Sequence, residues 1–290
     1  QADAVHGLVN VLPLASRACG VVTVHDLSFV RTPQLLPPLK RAYLARLAAA
    51  SVARARAVIA VSRQTADDVL RCFGAPAAKV HVIYNGVAAN FTPANAEASS
   101  RFRQAKGLPD RYFLYLGTLE PRKNLEVLVR AFGAWRAEAG PEQAAVKLVL
   151  AGGKGWYYET IFAQVAALGL ADAVLFPGFI PPADLPAWYR AAELFVYPSV
   201  LEGFGLPVLE AMACGVPVVC SQAESLLEVA GDAAATFPAG DVAALTAALR
   251  SLSANPAQRE YLRARGLAQA ARFSWEQAAA QTMGVYDAVL

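Results

Sequence analysis

Two glutamates eight positions apart bracket a glycine-rich turn in Glu202-Gly203-Phe204-Gly205-Leu206-Pro207-Val208-Leu209-Glu210. Gly203 and Gly205 let backbone come close to a ligand. Pro207 suits the first turn of a helix, where its missing N–H costs nothing. The free N–H groups at such a helix start favour an anion, and a diphosphate fits. Glu202 and Glu210 would repel that phosphate, so as ligand contacts they suit sugar or ribose hydroxyls. The same pattern also fits a plain glycine-rich turn with two solvated glutamates. A second candidate is Gly117-Thr118-Leu119-Glu120-Pro121-Arg122-Lys123-Asn124. Arg122 and Lys123 there could clamp phosphates through charge-assisted hydrogen bonds; the bland alternative is a capped helix with a solvated basic pair. His25-Asp26 closes the first strong β-branched run and would set a histidine at an interdomain cleft, although a lone histidine is more often structural. Gly152-Gly153-Lys154-Gly155 lacks the spacing of a dinucleotide fingerprint and reads as a turn.

Such motifs work at the carboxyl ends of strands in doubly wound sheets, and the chain has the required alternation. Strand-like runs are Val21–Val24, Ala57–Val61, Val80–Tyr84, Tyr112–Leu116, Lys147–Ala151, Val174–Phe176, Leu194–Tyr197 and Val216–Cys220. Helical runs are Leu39–Arg56, Ser62–Leu70 with Ser62 as N-cap, Asn124–Trp135, Tyr158–Leu168, Leu185–Ala192, Pro207–Ala213, Val242–Ser253 and Trp275–Val289. The polar stretch Ala88–Ser100 reads as a linker. Short apolar strands separated by helices predict parallel sheets covered on both faces, an α/β fold. A chain of 290 residues accommodates two domains. We expect a first Rossmann-like domain over 1–92, a second over 93–274, and a last helix, 275–290, that packs back on the first.

Composition excludes several classes. With 56% apolar and 17% charged residues, disorder is not expected. A net charge of +3 does not argue for nucleic acid as a partner. No apolar run approaches the roughly 20 residues of a membrane-spanning helix, and the opening Gln1–His6 lacks the pattern of a signal peptide. Cys19, Cys72, Cys214 and Cys220 are scattered, without a CxxC pair or clustered histidines, so no metal site is expected. Reduced thiols fit a cytoplasmic protein. The basic helix 39–56 is a candidate for peripheral contact with anionic lipid at the inner face of a membrane; a solvated face is the other reading.

The ordered set of motifs resembles glycosyltransferase family 4, whose GT-B fold has two facing Rossmann-like domains. The resemblance runs through Val22-Thr23-Val24-His25-Asp26-Leu27-Ser28-Phe29, Val61-Ser62-Arg63, Val82-Ile83-Tyr84-Asn85-Gly86-Val87, the Gly117–Asn124 turn and the Glu-x7-Glu segment Glu202–Glu210. It implies that Lys123 contacts a donor diphosphate, Glu210 the donor ribose and Glu202 the hydroxyls of the transferred sugar. It implies that the backbone of Gly203, Phe204, Gly205 and Leu206 holds diphosphate and sugar, alongside the turn at Gly117 and Thr118. Phe179 and Ile180 match the place where the base is held, and His25 the histidine that reaches toward the sugar. Two departures stand out. Thr118 occupies a position where the family often has arginine, a role that Arg122 could take. A complete N-terminal domain would carry further strands and a glycine-rich loop before Asp3, so about half of an acceptor domain is expected here, and oligomerisation is one way to cover the sheet edge this leaves.

The resemblance further implies a retaining, metal-independent hexosyltransferase without a cofactor, similar to mannosyltransferases of polysaccharide assembly. Mannose from GDP-mannose is the first expectation and glucose from UDP-glucose the next, with a saccharide or lipid-linked acceptor. A nucleotide-sugar-binding module with little transfer activity is the alternative, and a sugar-nucleotide epimerase on the same fold a third reading. A nicotinamide oxidoreductase is disfavoured, because no Gly-x-Gly-x-x-Gly follows a strand.

Overall fold

The computed structural model describes residues 3–290. The chain divides into two units. The first runs to Gly86 and adds Leu201–Gly205 and Phe273–Leu290; the second holds Val87–Val200 and Leu206–Arg272.

In the first unit, strands β1 (Ala4–Gly7) and β2 (Cys19–Val24) precede helices α1 (Ser28–Arg31) and α2 (Pro38–Arg54). Then come β3 (Ala57–Ala60), α3 (Arg63–Phe73) and β4 (Val80–Val82). The four strands pair in parallel in the order β1-β2-β3-β4, with Val21 opposite Ala57 and Val24 opposite Ala60. The central strands are buried on both faces, through Val21, Val22 and Val24 on β2 and Ala57, Val58 and Ala60 on β3. That is why they read as continuous apolar runs. The Ser62 side chain caps α3 by accepting from the Thr65 N–H at 3.0 Å. Helix α2 stops at Arg54, two residues before the expected end, because Ala55 turns to an extended conformation. It exposes Lys40, Arg41 and Arg46 together with Leu39 and Tyr43.

The second unit opens with α4 (Ala96–Lys106), β5 (Tyr112–Leu116), α5 (Leu125–Ala137), α6 (Pro141–Ala144) and β6 (Lys147–Ala151). It continues with α7 (Glu159–Ala167), β7 (Val174–Gly178), α8 (Leu185–Ala191), β8 (Leu194–Tyr197) and α9 (Leu206–Ala213). It ends with β9 (Val218–Ser221), α10 (Glu224–Ala230), β10 (Ala234–Phe237), α11 (Val242–Ala254) and α12 (Pro256–Ala270). The parallel sheet has the order β10-β9-β8-β5-β6-β7. Phe113, Phe132 and Trp135 pack edge to face or tilted against one another beneath it, and the Trp135 indole donates to Ser253 Oγ at 3.0 Å. At the amino ends of β5 and β8, Arg111 grips Glu193 with two hydrogen bonds of 2.6 and 2.8 Å.

Two sequence expectations need correction. The stretch Ala88–Ser100 is not linker throughout, since α4 starts at Ala96, capped by Asn95, which accepts from the Ala98 N–H at 2.8 Å. Only Ser99 of that helix is buried, so it carries no apolar stripe to betray it. The first sheet also has four strands where three were expected, and the second six where five were, because the edge strands β1, Ala-Val-His-Gly, and β10, Ala-Ala-Thr-Phe, each bury one residue and form no continuous buried apolar run.

The last helix, α13 (Trp275–Val289), belongs to the first unit. Ala278 and Val285 pack on Val21, Ala57, Ile59 and Ile83. The chain enters it so close to Gly86 that a Cβ there would lie 2.1 Å from the Trp275 nitrogen. A polar clip reinforces the packing: His6 Nδ1 lies 2.5 Å from the Tyr286 hydroxyl and Nε2 2.8 Å from Thr23 Oγ1. Among the described residues no helix is long and apolar enough to cross a membrane.

Burial lowers the His6 pKa below its ordinary 6.5, so the fold favours the neutral ring. The stability this gives is complete above pH 6.5 and is lost as the pH falls through the lowered folded value. His6→Gln should therefore cost about 1–2 kcal/mol in urea unfolding at pH 7.5, and the cost should shrink by pH 5.

Candidate active site

Strand β5 is followed in sequence by β6 and β7 on one side of it, whereas β8, β9 and β10 extend the sheet on the other. The crevice between β5 and β8 is thus the topological switch point of the second unit, where open α/β sheets bind ligands at strand carboxyl ends. The two loops leaving these strands are the two that carry the sequence motifs.

The loop after β5 is held from both sides. Gly117 has φ 154° and donates its N–H to the Ala151 carbonyl at 3.0 Å. Gly152, with φ 145°, approaches so closely that a Cβ would sit 1.9 Å from the Gly117 oxygen. Leu119 N–H to Gly153 O at 2.9 Å and Gly155 N–H to Leu119 O at 3.0 Å complete the clasp. The Gly152–Gly155 run is thus a structural turn that braces its neighbour. On the other side, the Val200 N–H donates to the Arg122 carbonyl at 3.0 Å, and the Asn124 amide to Pro198 O at 3.2 Å, with Asn124 left-handed at φ 55°.

A short 3-10 turn, Pro121–Lys123, then sets the side chains. Lys123 is only 7% exposed. Its ammonium donates to the Tyr197 hydroxyl at 2.7 Å and lies 5.0 Å from that ring's centroid. Tyr197 stacks on Tyr115 and Phe195, and the Tyr115 hydroxyl donates to Thr118 O at 3.0 Å. Arg122 pairs with the buried Glu120 at 2.8 Å, so these two charges offset one another inside the turn.

Glu210 sits on α9, mostly buried, with Oε2 accepting from the Tyr189 hydroxyl at 2.8 Å. Burial raises its pKa from 4.5 to about 7, and the Tyr189 hydrogen bond works against that rise. Phe179 and Ile180 follow β7; Phe179 is 72% exposed and Ile180 is buried. Their loop is tied inward by the Gly152 N–H to Gly178 O bond of 2.8 Å.

The segment Leu201–Gly205 belongs to the first unit. Gly203 packs against the His25 backbone, where a Cβ would lie 1.5 Å from the His25 oxygen. The Gly203 carbonyl accepts from Thr65 Oγ1 at 3.1 Å, and Phe204 packs with Tyr84 and Phe273. The His25 N–H donates to Asn10 Oδ1 at 2.8 Å, and Nε2 lies 2.8 Å from the Leu8 carbonyl, which requires the Nε2–H tautomer.

Comparison with known proteins identifies the family and the fold. Residues 97–269 match the family described as Glycosyl transferases group 1, and residues 2–91 match Glycosyltransferase Family 4. The chain belongs to the group 1 glycosyltransferase family. It is similar to the O-antigen chain mannosyltransferase B of Escherichia coli, 36% identical over 268 residues that cover 92% of this chain and 69% of that protein. It is 32% identical to a D-inositol 3-phosphate glycosyltransferase of Salinispora arenicola over 92% of this chain and 62% of that one. Among solved structures, a sucrose-phosphate synthase of Thermosynechococcus elongatus matches with TM-score 0.82 at 27% identity, covering 98% of this chain and 73% of that one. HepE of Anabaena in complex with UDP and glucose matches with TM-score 0.79 at 25% identity, covering 93% and 72%. The fold is that of GT-B glycosyltransferases.

In this glycosyltransferase the second unit gathers Gly117, Thr118, Arg122 and Lys123 on one braced loop, and joins Lys123 to Glu210 through the Tyr197, Phe195 and Tyr189 rings. The first unit gathers His25 with Gly203 and Phe204 with Tyr84. Sequence reasoning missed Tyr189, Tyr197, Glu120 and Thr65. Tyr197 had a usable signal, as the last residue of a strand entering a motif loop; Tyr189 had none, because only packing brings α8 beside α9.

The raised Glu210 pKa has a stability consequence. Stability from this group is fully present below its ordinary 4.5 and is lost as the pH rises through about 7. Glu210→Gln should raise the melting temperature at pH 8, by a stability increment on the order of 2–3 kcal/mol, and the gain should fade by pH 5.

Proposed function

We propose that this glycosyltransferase moves a hexose, mannose first and glucose next, from a nucleotide diphosphate sugar to a saccharide or lipid-linked acceptor with retention of configuration. The observation that carries the reading is the position of Lys123 and Glu210, which follow the two strands, β5 and β8, that flank the switch point of the second sheet. A buried ammonium there suits the charge that develops on a leaving diphosphate. The start of α9, just after Gly205 at φ 108°, offers backbone N–H groups to the same anion. Glu210 suits ribose hydroxyls and Glu202 the hydroxyls of the transferred sugar. Phe179 and Ile180 suit the base, and by the same resemblance His25 matches the histidine that reaches toward the sugar. The acceptor hydroxyl attacks the anomeric carbon on the face the diphosphate leaves, and the departing phosphate oxygen takes its proton. The similarity to the E. coli O-antigen mannosyltransferase supports mannose, and the UDP and glucose held by HepE support a nucleotide-sugar donor. The exposed basic face of α2, with Leu39 and Tyr43 among its lysine and arginines, supports peripheral contact with anionic lipid.

Thermal unfolding with GDP-mannose, UDP-glucose, GDP, UDP and NADH tests the donor class. The preferred donor at 100 times its dissociation constant should add about 2.7 kcal/mol, and NADH should add nothing. Lys123→Ala and Glu210→Ala should each weaken donor binding about tenfold, or about 1.4 kcal/mol. Unchanged affinity in both variants would remove the site assignment. Transfer, with the product's anomeric configuration read by NMR, separates an active enzyme from a module that only binds donor.

A further inference from the structure

The proposed ribose contact, Glu210, is not left to find its own orientation. A glutamate on a helix has three rotatable side-chain bonds and in water would sample many conformers. Here one carboxylate oxygen, Oε2, takes a hydrogen bond of 2.8 Å from the Tyr189 hydroxyl on the neighbouring helix α8. Tyr189 itself has no freedom to follow. Its side chain is fully buried, with Phe195 of β8 edge-on at 5.2 Å between ring centroids and Phe91 edge-on at 6.0 Å. A tyrosine has two side-chain torsions, and both are fixed by those rings, so its hydroxyl is a fixed donor rather than an adaptable one. Helix α8 is in turn anchored to the sheet, where the Tyr112 hydroxyl donates to the Trp188 carbonyl at 2.9 Å.

We infer that Tyr189 is a positioning residue of the donor site, whose phenol locks the Glu210 carboxylate in one orientation and so presents its other oxygen to a hydroxyl of the bound nucleotide sugar. The inference rests on the reading of Glu210 as the group that receives donor hydroxyls. It adds a residue that no sequence motif contains and that acts only through Glu210. Tyr189 also does a second thing. The burial that pushes the Glu210 carboxyl up to about 7 is opposed by this hydrogen bond, which favours the anion. A carboxylate accepts two donor hydroxyls where a carboxylic acid accepts with one oxygen and must donate with the other. The phenol therefore lowers the pH at which Glu210 takes its accepting form, which it does as the pH rises through about 7. The titratable groups around the pair are Tyr197 on β8 and Cys214 just after α9, both acting on Tyr189, and Arg190 on α8, which faces Cys214. The Cys214 thiol is pushed by burial up to about 12, and Tyr189 well above the usual phenol range, so neither titrates in the same interval as Glu210.

The test is donor affinity by calorimetry between pH 5.5 and 9 for the wild type, Tyr189→Phe and Glu210→Gln, with GDP-mannose and UDP-glucose as titrants. Phenylalanine keeps the ring and its packing, and thermal unfolding without ligand checks that each variant is folded. The wild type should bind more tightly as the pH rises through about 7. Tyr189→Phe should bind several-fold more weakly at pH 7, with the midpoint of its pH profile moved up by roughly one unit and affinity largely recovered at pH 9. Glu210→Gln should bind weakly with a flat profile. A Tyr189→Phe profile that superimposes on the wild type overturns the inference while leaving Glu210 in its role, and reduces the hydrogen bond to a packing tie between α8 and α9. A Glu210→Gln variant with wild-type affinity and wild-type pH dependence overturns both this inference and the donor reading beneath it.

Discussion

The pairing of β5 with β8 is the contact on which the rest of the second unit depends. Phe113 lies opposite Leu194 and Leu114 opposite Phe195, although some eighty residues of chain separate the two strands. That pairing sends β6 and β7 to one side and β9 and β10 to the other, and so opens the crevice at the strand ends. It also brings Tyr197 under Lys123 and lets Phe195 stand between Tyr197 and Tyr189. The Arg111–Glu193 pair pins the amino ends of the same two strands. Without this pairing, the two motif loops would be distant stretches of one chain.

The loops themselves owe their shape to close backbone approach. Gly117 and Gly152 meet where no side chain could be fitted, and the hydrogen bonds around Leu119 join the turns after β5 and β6 into one body. Gly203 does the same against His25 in the first unit. Each approach replaces flexible loop with fixed peptide groups, and in the second unit that suits the proposed binding of a diphosphate without reorganisation.

Charge is managed by phenols as much as by counter-ions. Lys123 rests on the Tyr197 hydroxyl and ring, and Glu210 on the Tyr189 hydroxyl, while Arg122 and Glu120 cancel within the turn. The Tyr197 hydroxyl accepts a hydrogen bond from the Lys123 ammonium without adding a charge of its own.

The sequence by itself determined the elements whose burial is uniform. Tyr112–Leu116, Lys147–Ala151 and Leu194–Tyr197 have the same ends in the sequence reading and in the structure, because strands covered on both faces are unbroken apolar runs stopped by glycine or proline. It also determined the two motif loops, since glycine and proline act through local backbone geometry. It did not reveal α4 or α12, whose buried residues are few, nor the edge strands β1 and β10, with one buried residue each. Only the tertiary structure decided which strands are neighbours, that Arg122 is matched by Glu120, and that Tyr189 and Tyr197 stand behind Glu210 and Lys123. The reason is physical. Periodicity and turn chemistry are local, whereas strand order and the partner of a buried charge are set by packing between residues far apart in the chain.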